Sequence, residues 1–348
     1  MKKRGWLNGA VATVAALLVL VPLAAQADVK IETLTHTSEV TGITSHDSDT
    51  TDYYKGDMKR EENLRKFTGS VLGAWQKFKG EDKGSMDIDI FDVPANKHYN
   101  VDPQKKVYSV ESIYDPNQPT QAPPEGGTTQ PQQQQQQDKD VKVTKNEFTV
   151  KDTGQSKTIN GFDTREYLIT WDYETQNTKT GETGKNLMTT DTWTSTDGKL
   201  VKAREAETTY EMAHRKLMHL PQPAADEGGM YGLGNGRLEM NGQDMKPMLE
   251  KLRSIKGLPV STDVSWEVGG TDANGKSTNS GSDQGQSQSL DSTLGSLFGG
   301  KSKDDSTPKQ TDDGMTTIFS SHYEVKGVDT SAVDASQFQT PADYKLDN

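Results

Sequence analysis

Apolar and polar residues alternate along most of this chain, in short runs that end at turn-forming residues. The clearest run is 85–92, SMDIDIFD, in which Met86, Ile88 and Ile90 alternate with acidic residues. A period of two is typical of a strand with one buried face. Comparable runs rich in β-branched residues lie at 29–64, 97–112, 148–196, 260–268 and from 315 onward. The pattern predicts an antiparallel sheet built from hairpins.

The hydrophobic period changes to a helical one in the middle of the chain. A helix is predicted from about Ala203 to Met218, because apolar residues recur there every three or four positions. A second helix is predicted to begin at Asp244, with Pro247 in its first turn, and to end before Gly257. The apolar stripes of these two helices are Ala206, Tyr210, Ala213 and Leu217, and Met248, Leu252 and Ile255.

This order of elements, strands then helices then strands, predicts an α+β domain. In such a domain, helices cover one face of a curved antiparallel sheet. The closing stretch from Met315 follows a long polar segment and is expected to supply the last strand of that sheet.

Two segments contain almost nothing that a core could bury. Residues 115–140 are rich in Pro and Gln, and residues 269–314 are rich in Gly, Ser and Asp. Both are predicted to be disordered inserts, and they account for an overall hydrophobic content of only 30%. Because loop closure costs rise slowly with length, both inserts are compatible with a single domain over 28–348.

The first 27 residues have the pattern of a secretory signal peptide. Lys2, Lys3 and Arg4 precede an apolar stretch that ends at Ala25-Gln26-Ala27. The apolar stretch is shorter than the ~20 residues that span a bilayer, and small residues stand where a signal peptidase cuts. Cleavage after Ala27 is expected, and it predicts a periplasmic or secreted bacterial protein without a transmembrane segment.

The amino-acid composition bears on how the chain is stabilised and on which partners it can bind. The chain has no cysteine, so its stability must come from packing rather than from disulfides. After removal of the leader, 36 basic and 51 acidic residues give a net charge of −15. Since nucleic-acid binding depends on Lys and Arg neutralising phosphates, no nucleic-acid partner is expected.

Several short segments together resemble a known group of proteins. They are YYKGDMKREE, DPQKKVYSV, GQSKTINGFDTREYLITW, DTWTSTDG, LRSIKGLPVSTDVSWEV and VDASQFQTPADYKL, in that order along the chain. In this order they resemble an exported bacterial family of unknown function related to the lipoprotein-carrier (LolA/LolB-like) superfamily. The sequence departs from the commoner pattern at Thr164, where a cysteine is expected after Asn-Gly-Phe, and both inserts look particular to this chain.

The resemblance implies both a fold and a function. The fold would be a half-open antiparallel barrel whose concave face is covered by helices, and members of the wider superfamily hold acyl chains or lipid-like ligands in that concavity. Phe338, Pro341 and Tyr344 would then hold the terminal strand against the helices and close one edge of the sheet.

An apolar-ligand site is the sharpest functional hypothesis. Six of the eleven methionines fall within residues 212–248, and methionine suits surfaces that repack around varied apolar ligands. An ordinary core filled by methionine is the alternative explanation. The residues expected to line the space between sheet and helices are Trp171, Trp193, Met212, Leu217, Met248, Leu252 and Ile255. The expected ligand is a lipid, an acyl chain or a lipidated protein.

Catalytic and metal-binding patterns are weak. His214 and His219 are five residues apart, unlike the i, i+4 pair of a zinc helix, so neither a metal site nor a cofactor is predicted. No G-x-S-x-G elbow is present, and a non-enzymatic protein is expected. A second hypothesis, from a different class, is an envelope interaction or sensor module that recognises partners through its two inserts. The oligomeric state is left open.

Overall fold

The computed structural model describes residues 28–39, 45–80, 83–117, 140–221, 242–273, 275, 277 and 315–347. Within these residues, twelve strands form one sheet, with three α-helices beside it. The strands are β1 Val29–Glu39, β2 His46–Lys55, β3 Met58–Phe67, β4 Ser85–Asp92, β5 Lys97–Asp102, β6 Val107–Glu111, β7 Val141–Ile159, β8 Phe162–Asn177, β9 Thr183–Ser195, β10 Leu258–Thr271, β11 Thr316–Asp329 and β12 Lys345–Leu346. The helices are α1 Ser70–Phe78, α2 Gly198–Leu217 and α3 Gly242–Leu252.

The sheet is open and mixed. Its strand order is β12-β6-β5-β4-β3-β2-β1-β11-β10-β9-β8-β7, so β12 and β7 are its two edges. Every neighbouring pair is antiparallel except β12 with β6, which is parallel.

The predicted α+β architecture, a curved antiparallel sheet forming a half-open barrel with helices covering its concave face, is therefore wrong. Strand dominates the described chain, the sheet does not close, and the helices form no lid over a concave face. Each helix packs at a different place: α1 against β3, α2 against β1, β2 and β11, and α3 against β7. An apolar stripe predicts that a helix is buried, but it does not say against what.

Helix α2 is part of the core. Its buried residues are Leu200, Ala203, Ala206 and Tyr210, and they belong to one hydrophobic cluster with Val29, Tyr54, Val260, Val325 and Val328 of the sheet. The helix begins after Asp197, whose side chain accepts a hydrogen bond from the Lys199 amide at 2.7 Å. The helix predicted from Ala203 is confirmed, and it starts five residues earlier, at Gly198.

Turn chemistry agrees with the predicted hairpins. Asn160 and Gly161 join β7 to β8 with positive φ angles of 49° and 85°, as a tight hairpin requires. Between β5 and β6, the Asp102 carboxylate accepts from the backbone amides of Gln104 and Lys105. Both turns come from residues that tolerate or favour these conformations.

The closing stretch of the chain has two separate roles. Residues 316–329 form β11, which lies in the middle of the sheet between β1 and β10. Phe338 and Val333 then belong to one hydrophobic cluster with Ile88, Ile90 and Val101 of β4 and β5. The expected contact of this segment with the helices is replaced by one with the sheet, and only β12 reaches the edge.

Helix α1 was not predicted from the sequence. Its nine residues follow β3, and its Gln76 side chain is buried against the end of that strand. Gln76 Oε1 accepts from the Phe67 amide at 3.0 Å, and its Nε2 donates to the Arg65 carbonyl at 3.2 Å. A buried polar side chain therefore attaches this helix to the sheet.

Some predictions concern segments beyond the described residues. The signal peptide, 1–27, lies outside them, as do 118–139 of the first predicted insert and most of the second. Strand β10 continues to Thr271, three residues into the second predicted insert. No helix in the described part of the chain is both long and apolar enough to cross a bilayer.

Candidate apolar binding site

Five large apolar side chains form a continuous row across five strands. Strand register places Phe148 opposite Trp171, Trp171 opposite Met188, Met188 opposite Trp266, and Trp266 opposite Phe319. Directly opposed residues of antiparallel strands project from the same face of a sheet. We call Phe148, Trp171, Met188, Trp266 and Phe319 the apolar row.

The apolar row lies between buried core and a polar margin. All five side chains are half-buried, whereas Ile169 and Thr190, two residues further along their strands, are each 1% exposed. On the other side, the Trp171 indole donates to Asn146 Oδ1 at 2.9 Å. The row thus presents apolar surface beside Asn146, which accepts the hydrogen bond of the Trp171 indole.

The length of the apolar row is set by the spacing of strands. Four intervals of about 4.8 Å give a row of about 19 Å. That length exceeds one leaflet of a bilayer, which is about 15 Å, half of the ~30 Å hydrocarbon core. An acyl chain laid across the strands could contact every member of the row.

Helix α3 adjoins one end of the apolar row. Met248 is 8% exposed and lines a cleft of about 210 Å³ together with Asn146, Phe148, Pro247 and Lys251. The Lys251 ammonium donates to the Phe148 carbonyl, which holds the helix against β7. Trp171 and Met248, both predicted site residues, therefore share Asn146 and Phe148 as neighbours.

The other predicted site residues lie elsewhere. Trp193 lies opposite Glu166 and Ser261, at a register position on the other face from Thr192, and Lys157 Nζ is 3.7 Å from its ring centroid. Met212 is 50% exposed on α2, and Leu217 packs against the core beneath that helix. Leu252 and Ile255 are half-buried at and just after the end of α3. The structure does not bring these five together.

A search of curated proteins found no match, and no protein-family model matches the chain. The resemblance to the lipoprotein-carrier superfamily stays a prediction. Function must be argued from the geometry of this chain.

The opposite face of the sheet carries a row of ionisable side chains. Strand register aligns Asp47, His36, His322, Asp263 and Asp191 in one row across β2, β1, β11, β10 and β9. Most of them border a groove of about 390 Å³. His322 Nδ1 contacts Asp263 at 2.8 Å, and His36 contacts Asp47.

The carboxyl of Asp191 in this groove is in an environment that disfavours its charged form. Burial, reinforced by the nearby carboxylates of Glu166 and Asp263, raises the pKa of Asp191. Its Oδ1 atom is buried and has no hydrogen-bond partner in the described residues. Even so, no group of three or more His, Asp or Glu side chains in the described chain is arranged to hold a metal ion.

A second buried acid lies on the helix-bearing face. Asp52 Oδ1 is 3.1 Å from Lys59 Nζ, whose ammonium also donates to Glu61 at 2.7 Å. Burial raises the pKa of Asp52 to about 6, although the Lys59 charge opposes this and Glu61 reinforces it. Burial therefore outweighs the attraction of the Lys59 ammonium.

Sequence reasoning missed four of the five residues of the apolar row. Phe148, Met188, Trp266 and Phe319 each stand at a period-two position of a predicted strand, and that signal was present. The missing information was the alignment of one strand with the next, because only register brings them into one row.

Proposed function

We propose that this protein is a non-enzymatic binder of an apolar ligand, either a lipid, an acyl chain or the acyl group of a lipidated partner. The ligand lies along the apolar row rather than beneath a helical cover. The observation that carries the proposal is the row itself, five large apolar side chains aligned across five strands and only half-buried.

The chemistry of the row fits such a ligand. Aromatic and methionine side chains offer large contact area, and methionine adapts to irregular apolar shapes. Binding sites for small molecules are mostly apolar with a few polar groups that fix orientation. Here Asn146 and Tyr173 stand beside Trp171, with the Trp171 and Tyr173 ring centroids 5.8 Å apart. Those polar groups are suited to orienting the ester or carboxyl end of the ligand.

The site of action follows from the leader. A signal peptide cleaved after Ala27 delivers the protein to the bacterial periplasm or exterior, where lipids and lipidated proteins cross an aqueous space. The absence of cysteine in the sequence removes the lipidated N-terminal cysteine of a lipoprotein. We therefore place the protein in the cell envelope as a soluble carrier.

The first experiment is native mass spectrometry of residues 28–348 purified from a bacterial periplasm without detergent. We expect a reproducible added mass that is extracted by organic solvent and identified as lipid. A ligand-free mass, together with no uptake of a fluorescent fatty acid, would contradict the proposal.

Matched variants locate the ligand. Trp171→Gln with Trp266→Gln replaces two apolar members of the row by polar side chains. Leu34→Gln with Leu168→Gln makes a similar change at half-buried positions of the opposite face. Since burying one such side chain contributes about 1.5–3 kcal/mol, we expect at least tenfold weaker fatty-acid binding from the first pair. The second pair should bind like the wild type. Equal losses in both pairs would contradict the assignment of the site.

The interaction-module hypothesis predicts a different result. Replacing residues 118–139 and 278–314 by Gly/Ser segments of the same lengths removes the composition of both inserts and keeps the length of chain between β6 and β7, which lie ten positions apart in the sheet. A carrier keeps its ligand after this replacement. A module that recognises partners through the inserts loses its partner, and that outcome would replace the proposal.

A further inference from the structure

Helix α1 exposes two aromatic side chains at one end of the sheet. Phe78 is 90% exposed and Trp75 is 51% exposed, and they stand three residues apart on the same side of the helix. Single exposed apolar residues are normal on a protein surface, whereas neighbouring large ones form a patch that marks an interaction site. Being this exposed, these two side chains contribute little to packing α1 against the sheet.

The orientation of α1 is fixed by its polar side. Gln76 is 4% exposed and bonds the backbone of Phe67 and Arg65, while a Cβ atom at Gly73 would lie 2.9 Å from the Phe67 carbonyl oxygen. The helix therefore rests on the end of β3 through Gly73 and Gln76. Because these inward positions hold the helix, Trp75 and Phe78 are directed away from the sheet.

Basic residues outnumber acidic ones in the segment that contains α1. Residues 65–83 contain five basic residues, Arg65, Lys66, Lys77, Lys79 and Lys83, against two acidic ones, in a chain whose net charge is −12. All five basic side chains are exposed. Lys79 Nζ lies 3.8 Å from the centroid of the Trp75 ring. This segment is a local exception to the acidic surface that disfavours anionic partners.

We propose that α1 docks on the surface of an anionic lipid bilayer, with Trp75 and Phe78 inserted at the interface and the surrounding lysines contacting headgroups. Tryptophan is favoured at membrane interfaces, and short basic segments are attracted to anionic lipid. The combination of exposed aromatic and basic residues fits a headgroup layer, which offers negative charge above apolar depth. This proposal rests on α1 and does not require the apolar row to bind lipid.

The position of α1 relates it to the apolar row. Ser45 accepts from the amides of Thr68 and Gly69, just before α1, and its hydroxyl accepts from the amide of Glu39. Glu39 is the β1 residue directly opposite Phe319, the last member of the apolar row. A docked α1 thus brings one end of the row toward the bilayer.

Vesicle sedimentation of residues 28–348 tests the docking. We expect the protein to sediment with vesicles of equal parts phosphatidylglycerol and phosphatidylcholine, and to remain in solution with phosphatidylcholine alone. Trp75→Ser with Phe78→Ser, and separately Lys77→Glu with Lys79→Glu, should each lower the bound fraction about fivefold or more. The matched control is Val141→Ser with Val143→Ser, two exposed apolar residues of edge strand β7, which should bind like the wild type.

Depth and folding are measured in parallel. Brominated lipid should quench tryptophan fluorescence of the wild type more than that of Trp75→Ser, because only the wild type inserts this indole. Thermal melting should be the same for all of these surface variants. Two results would overturn the proposal: a wild type that does not bind anionic vesicles, or α1 variants that bind them as well as the wild type does. The first result would favour a protein surface as the partner of α1.

The proposed ligand binding at the apolar row and the proposed docking of α1 can be tested independently of each other. Fatty-acid uptake should be unchanged in the α1 variants, because Trp75 and Phe78 are outside the apolar row. Fatty-acid uptake without vesicle binding would overturn only the docking of α1. Vesicle binding by a chain that takes up no fatty acid would overturn only the proposed function.

Discussion

At the scale of single residues, Asp52 shows how burial can outweigh an ion pair. Its carboxyl lies 3.1 Å from the Lys59 ammonium, yet its pKa is raised to about 6 by burial on the helix-bearing face. The same Lys59 also contacts Glu61, so its charge is shared between two carboxyls. The environment of Asp52 therefore favours its neutral form more than water does.

The raised pKa of Asp52 predicts a pH-dependent contribution to stability. The folded protein holds a proton on Asp52 between about pH 4 and pH 6, where an unfolded chain does not, so the contribution is greatest at the acid end and falls as pH rises toward 6. Relative to Asp52→Asn, the wild type should lose up to about 3 kcal/mol of unfolding free energy between pH 4 and pH 7. Urea denaturation of both proteins at several pH values measures this, and a difference independent of pH would contradict it.

At the scale of elements, α1 differs from the other two helices in how it is attached. Helix α2 is held by four buried side chains, whereas α1 depends on close backbone approach at Gly73 and on the two hydrogen bonds of Gln76. A nine-residue helix is marginal on its own, so these contacts decide whether it stays folded.

Gln76→Ala should therefore release α1 while leaving the sheet intact. Loss of the Gln76 hydrogen bonds to the Phe67 amide and the Arg65 carbonyl costs about 1–3 kcal/mol, which corresponds to roughly fivefold to 150-fold more frequent local opening. Hydrogen exchange of the α1 amides measures this directly. Lys77→Ala, a change at the exposed neighbouring position, serves as the control and should leave exchange unchanged, and equal exchange in Gln76→Ala and wild type would show that Gln76 does not hold the helix.

At the scale of the whole molecule, the sheet pairs strands that lie far apart in the sequence. Strand β1 begins at Val29, and its neighbour β11 begins at Thr316, so the centre of the sheet forms only when residues far apart in sequence pair. On the far side of β11 lies β10, which leads to β9, β8 and β7 and so to most of the apolar row.

Truncation tests this dependence on the closing stretch. Removing residues 315–348 deletes β11, so β1 keeps only β2 and β10 keeps only β9 as a neighbour, and the sheet is divided in two. We therefore expect no cooperative unfolding transition. Removing only residues 345–348 deletes the two-residue edge strand β12 and should change the unfolding free energy by less than about 1 kcal/mol. Similar cooperative transitions for the two truncated proteins would contradict the central place of β11.

The structure was partly accessible from the sequence. The alternation at Met86, Ile88 and Ile90 predicted a strand, and the spacing of Ala206 and Tyr210 predicted α2, since both patterns reflect local geometry. Helix α1 also has apolar residues at helical spacing, Val71, Trp75 and Phe78, but its nine residues are fewer than the about 11 to 18 over which a helical period is judged, so it was not predicted. Its Trp75 and Phe78 side chains point outward, and Gly73 and Gln76 lie on its inward side.

The sequence by itself determined the strands, two of the helices and the turns of the described hairpins, because each depends on residues close together along it. The export of the chain stays a prediction. Trp171 and Met248 were also recognised as candidate site residues. Only the tertiary structure decided that the sheet stays open and that five strands align Phe148, Trp171, Met188, Trp266 and Phe319. The physical reason is register, because a period of two assigns faces within a strand, whereas pairing between distant strands decides which side chains meet.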